Sequence, residues 1–185
     1  MEALLTEVFV ASLVYGAVTA GVPLLLAGLG EQISEKAGVL NIGIEGMMLG
    51  GAYLGFVAAF YSGSFWLGFL GGAAAGVAVA AIMALLCVRL GLNQIVIGIG
   101  LTLGVEGLTA LLHHFQFART YPRLDVANSL PIPLLSQIPV LGPSLFDRHP
   151  VVYLAILLVP LLAWTFRHTH LGLDLQAAGD KPATP

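Results

Sequence analysis

Two long stretches of this sequence carry no charged side chain, and they constrain the fold more than any other feature. One runs from Val8 to Gly30, and the other fills the interval between Glu45 and Arg89. A helix needs about 20 apolar residues to cross the hydrocarbon core of a bilayer. The first stretch is therefore long enough for one span and the second for two. With 9% charged residues overall, against about 25% in soluble domains, the chain is predicted to be an integral membrane protein.

We predict an all-α fold, a polytopic transmembrane helix bundle of about five spans in a single domain. The spans are expected at residues 8–30, 46–61, 65–88, 95–112 and 151–166. The turn signal Ser62-Gly63-Ser64 divides the long uncharged interval into two helices. Glycines at positions 68, 72 and 76 would let the third span approach a neighbouring helix or another subunit closely.

The segment Gly38 to Met48, GVLNIGIEGMM, places polar side chains at helical spacing between the apolar runs. One turn of helix would direct Asn41 and Glu45 to the same face, and the interleaved glycines predict a partly broken helix over 38–48. A carboxylate in hydrocarbon costs roughly 2.5 to 3.5 kcal/mol, so it usually faces a wet cavity or a bundle interior. Asn41 and Glu45 are therefore candidates for a solute pathway. The alternative is that Glu45 lies at headgroup level and only ends a loop.

Glu106 falls well inside the fourth predicted span. An intramembrane carboxylate indicates a functional site by default, so Glu106 is a third pathway candidate on physical grounds alone. A hydrogen bond to Thr102, one turn away, is an equally good interpretation. If Glu106 titrated and coupled ion movement, the chain would be a secondary transporter or a channel. A membrane scaffold without a transport path is a further alternative.

Residues 115–150 differ in character from the rest of the chain. Six of the ten prolines fall there, together with five charged side chains. We predict a loop outside the membrane, which either helps to dock a binding protein or lies on the lipid headgroups. Positive side chains are nearly balanced between the two sides of the predicted bundle, so the positive-inside rule indicates the orientation only weakly.

Several functional classes are disfavoured by what the sequence lacks. It has no basic cluster of the kind that binds nucleic acid, and no glycine-rich phosphate loop with Lys-Ser or Lys-Thr. The single Cys87 and the adjacent His113 and His114 lack the spacing of a metal site. We therefore expect no nucleic-acid partner, no metal or other cofactor, and no ATP hydrolysis by this chain itself.

Three passages carry a family resemblance. The run from Ala27 to Tyr53, AGLGEQISEKAGVLNIGIEGMMLGGAY, resembles the signature of membrane permease subunits of ABC importers, in the branch with branched-chain amino acid, simple-sugar and nucleoside permeases. The passage NQIVIGIGLTLGVEGLTALL and the proline-spaced LPIPLLSQIPVLGPSLF resemble the same family, most closely its nucleoside and simple-sugar members. Thr102 is a departure, because family members often carry Asn there.

The resemblance implies a non-catalytic, multi-pass subunit of the plasma or inner membrane, with Asn41 and Glu45 at matching motif positions of the solute pathway. Its implied partners, besides the lipid bilayer, are cytoplasmic ABC ATPase subunits, a second permease subunit in a homo- or heterodimer, and an extracytoplasmic substrate-binding lipoprotein. It also places the N-terminus and residues 115–150 outside the cytoplasm. Because family members continue with more spans, these 185 residues are expected to be the N-terminal part of a longer permease.

The segment THLGLDLQAAGDKP, from Thr169 to Pro182, resembles the cytoplasmic ATPase-coupling segment of the family, which would cover residues 168–185. The matching residues are Thr169, Gly172, Ala177, Gly179 and Pro182. Gln176 stands where Arg is usual. Residues 171–178 would form a helix of about two turns, too short to be stable alone, and Gly179 would end it in a left-handed conformation. The alternative is a frayed tail.

Overall fold

The structure is a computed structural model that describes residues 2–118, 120, 122–124, 130–131, 142 and 145–180. Most of the predicted loop 115–150, and Pro182 of the predicted coupling segment, lie outside the described residues. The chain divides into two compact units, Met1–Gly30 with Ala127–Leu175 and Glu31–Val126 with Gln176–Pro185.

Helices account for most of the described residues. They are α1 (Glu2–Lys36), α2 (Ile44–Ser62), α3 (Phe65–Ala84), α4 (Gln94–Phe117), α5 (Pro150–His168) and α6 (His170–Gly179). A π-helical turn, Leu85–Arg89, continues α3. The two-residue strands β1 (Leu130–Pro131) and β2 (Asp147–Arg148) pair in antiparallel orientation.

Five helices of the described part of the chain, α1 to α5, are long and apolar enough to cross a membrane. This confirms the predicted all-α, polytopic helix bundle. The helices extend beyond the uncharged runs, because backbone hydrogen bonding continues where the hydrocarbon ends. Thus α1 passes through Glu31 and Glu35 to Lys36, and α4 continues to Phe117, so the connection predicted to begin at residue 115 begins later.

The predicted break around residues 38–48 is a complete stop followed by a new helix. Gly38 has φ +81°; its N–H donates to Glu35 O at 2.9 Å, while Val39 N–H donates to Ser34 O at 3.0 Å. This pair of bonds is the Schellman motif that ends many helices, and it needs a left-handed residue, which glycine adopts without steric cost. Residues 37–43 are not helical, and α2 begins at Ile44.

Glycines form the contact between α2 and α3. A Cβ atom at Gly55 would lie 3.0 Å from Gly68 O, and one at Gly72 would lie 2.9 Å from Gly51 O. Larger residues would force the two backbones apart, which is why small residues occupy such membrane-helix contacts. Gly76, by contrast, has nothing within 4 Å of its Cβ position.

Arg148, on β2, is the most buried charged side chain of the described residues, at 5% exposure. Its guanidinium carbon lies 3.6 Å from the centroid of the Tyr15 ring. Nη1 donates to Thr19 Oγ1 at 3.1 Å, and Nη2 donates to Tyr15 O at 2.9 Å. A buried charge requires such partners. These contacts attach β2, and with it the start of α5, to α1.

We expect Arg148→Ala to lower the free energy of unfolding by about 2 to 4 kcal/mol, because it removes a cation–π contact and charged hydrogen bonds. Arg123→Ala is the matched control, since Arg123 is exposed and its loss should cost less than about 0.5 kcal/mol. Denaturant unfolding of both variants in detergent measures the difference. Equal stabilities would show that Arg148 does not anchor this unit.

Candidate functional site

Side chains from two helices hold the break between α1 and α2 in place. Leu40 N–H donates to Gln94 Oε1 at 2.8 Å, and Asn41 N–H donates to Glu31 Oε1 at 3.0 Å. Both are backbone donors that a continuous helix would have paired internally, and here side chains pair them instead. This non-helical segment is therefore fixed by two side chains, Glu31 in the last turns of α1 and Gln94, the first residue of α4.

Three buried oxygens near the break have no hydrogen-bond partner among the described residues. They are Glu31 Oε2, Asn41 Oδ1 and Thr102 Oγ1, which we name the acceptor cluster. Thr102 belongs to it because a Cβ atom at Gly46 would lie 3.0 Å from Thr102 Cα, so α4 touches the start of α2 there. Buried polar oxygens are normally paired. The acceptor cluster therefore has hydrogen-bonding capacity that the described residues leave unused.

Asn41 and Glu45 do not share a helical turn, so the geometry predicted for them is wrong. Asn41 precedes the helix, which begins at Ile44, and its Nδ2 donates weakly to Met47 Sδ at 3.5 Å. Glu45 is exposed in the first turn of α2, where the positive end of the helix dipole stabilises a carboxylate. A pathway role for either residue stays a prediction.

An open groove of about 520 Å³ lies between α2 and α4. Its walls include Tyr53 and Phe56 from α2, and Glu106, Thr109 and His113 from α4. The hydroxyl of Thr102 has no partner among the described residues, so the hydrogen bond considered between Thr102 and Glu106 is not formed. Glu106 instead presents an exposed carboxylate to the groove.

A hydrogen-bond chain fixes the aromatic side of this groove. Tyr53 Oη donates to Gln116 Oε1 at 2.8 Å, and Gln116 Nε2 donates to Tyr61 Oη at 3.2 Å. The Phe56 ring packs edge-on against Phe117, with centroids 5.8 Å apart. Tyr53 and Phe56 are therefore held in defined positions rather than free to rotate.

The start of α6 is built by Thr169. Its Oγ1 donates to Thr165 O at 2.7 Å and accepts from Gly172 N–H at 3.3 Å, which is the geometry of an N-cap. Gly172 lies against the backbone of Thr165 and Phe166, and a Cβ atom there would lie 2.6 Å from Phe166 Cα. Only glycine allows the chain to fold back so tightly at this point.

Gly179 forms a close backbone contact at the other end of α6. A Cβ atom at Gly179 would overlap Lys36 O and lie 3.0 Å from Gly38 N. Gly179 is the last helical residue and is not among the glycines with positive φ, so its predicted left-handed conformation is wrong. The close approach explains the glycine instead. Ala177, another residue of the predicted coupling segment, is exposed.

A polar groove of about 420 Å³ surrounds this contact. Its lining residues are Gln32, Glu35, Lys36, Gln176, Gly179 and Asp180. Gln176, which departs from the expected Arg, lies here next to the end of α1. The groove therefore combines side chains of both signs of charge around the point where α6 ends.

Sequence comparison places this chain in a known family. Residues 12–185 match the family model described as "Branched-chain amino acid transport system / permease component". The chain belongs to this permease family. No solved structure matches it significantly.

Three curated relatives of this permease chain are themselves described as ABC transporter permeases. A protein of Haloferax volcanii, provisionally named glucose ABC transporter permease protein TsgC13, is 41% identical over 178 residues, covering 94% of this chain and 53% of that protein. The nucleoside ABC transporter permease protein NupC of Lactococcus lactis subsp. cremoris is 31% identical, covering 86% of this chain and 53% of the relative. The guanosine ABC transporter permease protein NupQ of Bacillus subtilis is also 31% identical, with 97% and 57% covered.

The permease chain thus spans about half the length of the curated relatives it matches. Family membership and the apolar helices together make it a multi-pass protein of the plasma membrane. Glu31, Gln94, Tyr53 and His113 are site residues that the sequence did not single out. The spacing of Glu106 and His113, two turns apart on one helix face, is the sequence feature that could have indicated that both line the same groove.

Proposed function

We propose that this chain is part of the transmembrane permease subunit of an ABC importer. It would work with cytoplasmic ATPase subunits, a second permease subunit and an extracytoplasmic substrate-binding lipoprotein, and it would not itself be catalytic. The solutes named for its relatives are glucose, nucleosides and guanosine. Each of these carries a sugar ring with neighbouring hydroxyl groups, and we infer nucleosides or simple sugars as the solute class.

The observation that carries this proposal is the packing of α6. A helix of ten residues is too short to be stable alone in water. Its end is held by the backbone contact between Gly179 and the Lys36–Gly38 turn. A short helix in this position gives an ATPase a rigid element to push, and its end adjoins the break between α1 and α2.

The pathway would run past the break and the groove. Asn41 and Glu45 come from the segment that resembles the family signature, and Glu106 faces the groove between α2 and α4. The acceptor cluster supports this assignment, because it supplies unpaired oxygens to a passing solute. Coupling would pass through Thr169, Gly172, Ala177 and Gly179, as well as Pro182.

The test uses the complete transporter in proteoliposomes. Uptake of labelled guanosine or glucose should require ATP on the cytoplasmic side, and cysteines placed along residues 171–178 should cross-link to the ATPase. Ser64→Cys is the control, because the turn between α2 and α3 is expected on the opposite face of the membrane and should not cross-link. Failure of every α6 cysteine to cross-link, or uptake without ATP, would contradict the proposal.

A second function is favoured by the exposed carboxylate of Glu106, which lies midway along α4. A secondary transporter or channel would use this group to couple or conduct ions. Uptake driven by an ion gradient without ATP, and abolished by Glu106→Gln, would favour this function over the ABC importer.

A further inference from the structure

Glu106 is the carboxylate least compatible with a lipid environment in this chain. It lies near the middle of α4, it is exposed, and none of the described residues hydrogen-bonds to its side chain. A charged group at the centre of a bilayer faces a protein interior or a water-filled cavity. The groove that Glu106 lines has mostly apolar walls, so this carboxylate requires water or protein in the groove rather than lipid.

The polar atoms of this groove are mainly hydrogen-bond acceptors. The Glu106 carboxylate can only accept when ionised. Tyr53 has already committed its proton to Gln116, so its oxygen is left with lone pairs, and neutral His113 offers one acceptor nitrogen. A ligand that satisfies these separate positions must bring several donors, which a single ammonium group placed at one point would not do.

The opposite wall of the groove is flat and apolar. Phe56 is fixed by its contacts with Phe60 and Phe117, whose ring centroids lie 5.9 and 5.8 Å away. A rigid ring of this kind presents a face against which the C–H face of another ring can pack. The volume of about 520 Å³ falls in the range of about 300 to 1,000 Å³ that is usual for small-molecule sites.

We propose that the groove between α2 and α4 is a binding site for a hydroxyl-bearing sugar ring, with Glu106 accepting hydrogen bonds from two neighbouring hydroxyl groups and the ring packing against Phe56. This rests on the proposed function, because it names the part of the solute that the pathway recognises. It assigns Tyr53 as a further acceptor that orients the ring.

The experiment measures solute protection of a cysteine inside the groove. Ala110→Cys is introduced into the complete transporter in a Cys87→Ala background, without the binding lipoprotein, and its reaction with a maleimide is followed. Ala110 lines the groove and is exposed. Leu108→Cys is the matched control, because Leu108 is exposed on the same helix but does not line the groove.

Glucose or guanosine at about four times its dissociation constant should slow labelling of Ala110→Cys about fivefold, because about one fifth of the sites would stay free, and leave Leu108→Cys unchanged. The analogue 2′,3′-dideoxyguanosine, which lacks both neighbouring hydroxyls of the sugar ring, should protect much less than guanosine. Glu106→Gln should remove this discrimination. Tyr53→Phe should weaken protection, whereas Tyr61→Phe, which loses a bond to the same Gln116, should not.

The proposal is overturned if neither sugar-bearing probe protects Ala110→Cys, if 2′,3′-dideoxyguanosine protects as well as guanosine, or if choline protects while the sugar-bearing probes do not. ATP-dependent uptake measured on the same preparation distinguishes failure of the proposed sugar site from failure of the proposed importer function. Intact ATP-driven uptake without protection would reject only this site, whereas uptake that needs no ATP would reject the importer itself.

Discussion

Gly179→Val should nearly abolish solute uptake by the complete transporter while ATP hydrolysis continues. Valine would push its side chain into Lys36 O and the backbone of Gly38, and neither is the flexible end of a side chain that could move aside. The end of α6 would then separate from the turn that follows α1. We expect uptake to fall about tenfold or more, which is the effect of losing a coupling free energy of about 1.4 kcal/mol.

Uptake and ATP hydrolysis are measured side by side in proteoliposomes to check this result. Gly30→Val is the control, because Gly30 lies in α1, which precedes the contacted turn, and has nothing within 4 Å of its Cβ position. The double variant with Gly172→Val should be no more active than Gly179→Val. If Gly179→Val takes up solute as fast as Gly30→Val, the contact between α6 and the turn does not transmit motion.

Gly98→Val is expected to lower the free energy of unfolding of this chain substantially. A Cβ atom at Gly98 would lie 2.9 Å from Gly43 N and 2.9 Å from Ile42 Cβ, so α4 packs directly on the backbone of the break. Overpacking of this kind costs about 1 to 3 kcal/mol and sometimes more. Because the same contact supports the hydrogen bond from Leu40 to Gln94, we expect the upper end of that range.

Gly100 provides the control for this second result. It lies on the same helix, and nothing is within 4 Å of its Cβ position, so Gly100→Val should change the unfolding free energy by less than about 0.5 kcal/mol. Unfolding of both variants is followed in mixed micelles of increasing denaturing detergent. Equal unfolding midpoints would mean that α4 does not rest on the break.

The spans could be predicted from the sequence because the rule behind them is local. Hydrocarbon excludes charge, so uncharged runs such as Val8 to Gly30 mark helices without any knowledge of their neighbours. The stop between α1 and α2 was also visible, because the glycines around Asn41 disfavour a continuous helix. The helix ends were harder to predict from the sequence, since a helix continues past Glu35 once its side chains reach headgroups or water.

The site could be predicted only in part, since its geometry depends on pairs that are distant in sequence. Nothing local indicates that Glu31 accepts a hydrogen bond from Asn41 or that Gln94 accepts one from Leu40. Gly179 illustrates the same limit. Its place after a short helix suggested a left-handed conformation, but it is Gly38 that adopts one. A side chain is excluded at position 179 because Lys36, far away along the chain, lies against its backbone.

The glycine contact between α2 and α3 has a mechanical consequence. Because Gly55 and Gly72 leave the backbones in contact, we expect the two helices to move together as one rigid lever. The residues of the break are the obvious pivot, since they are the non-helical segment from which α2 starts. For a lever of 19 residues, about 28 Å long at 1.5 Å per residue, a tilt of about 5° moves the far end by about 2.5 Å. The groove lies nearer the middle of the helix, and Tyr53, nine residues from the start of α2, would move by about 1.2 Å. A small rotation at the break would therefore change the width of the groove beside Glu106 by about that distance.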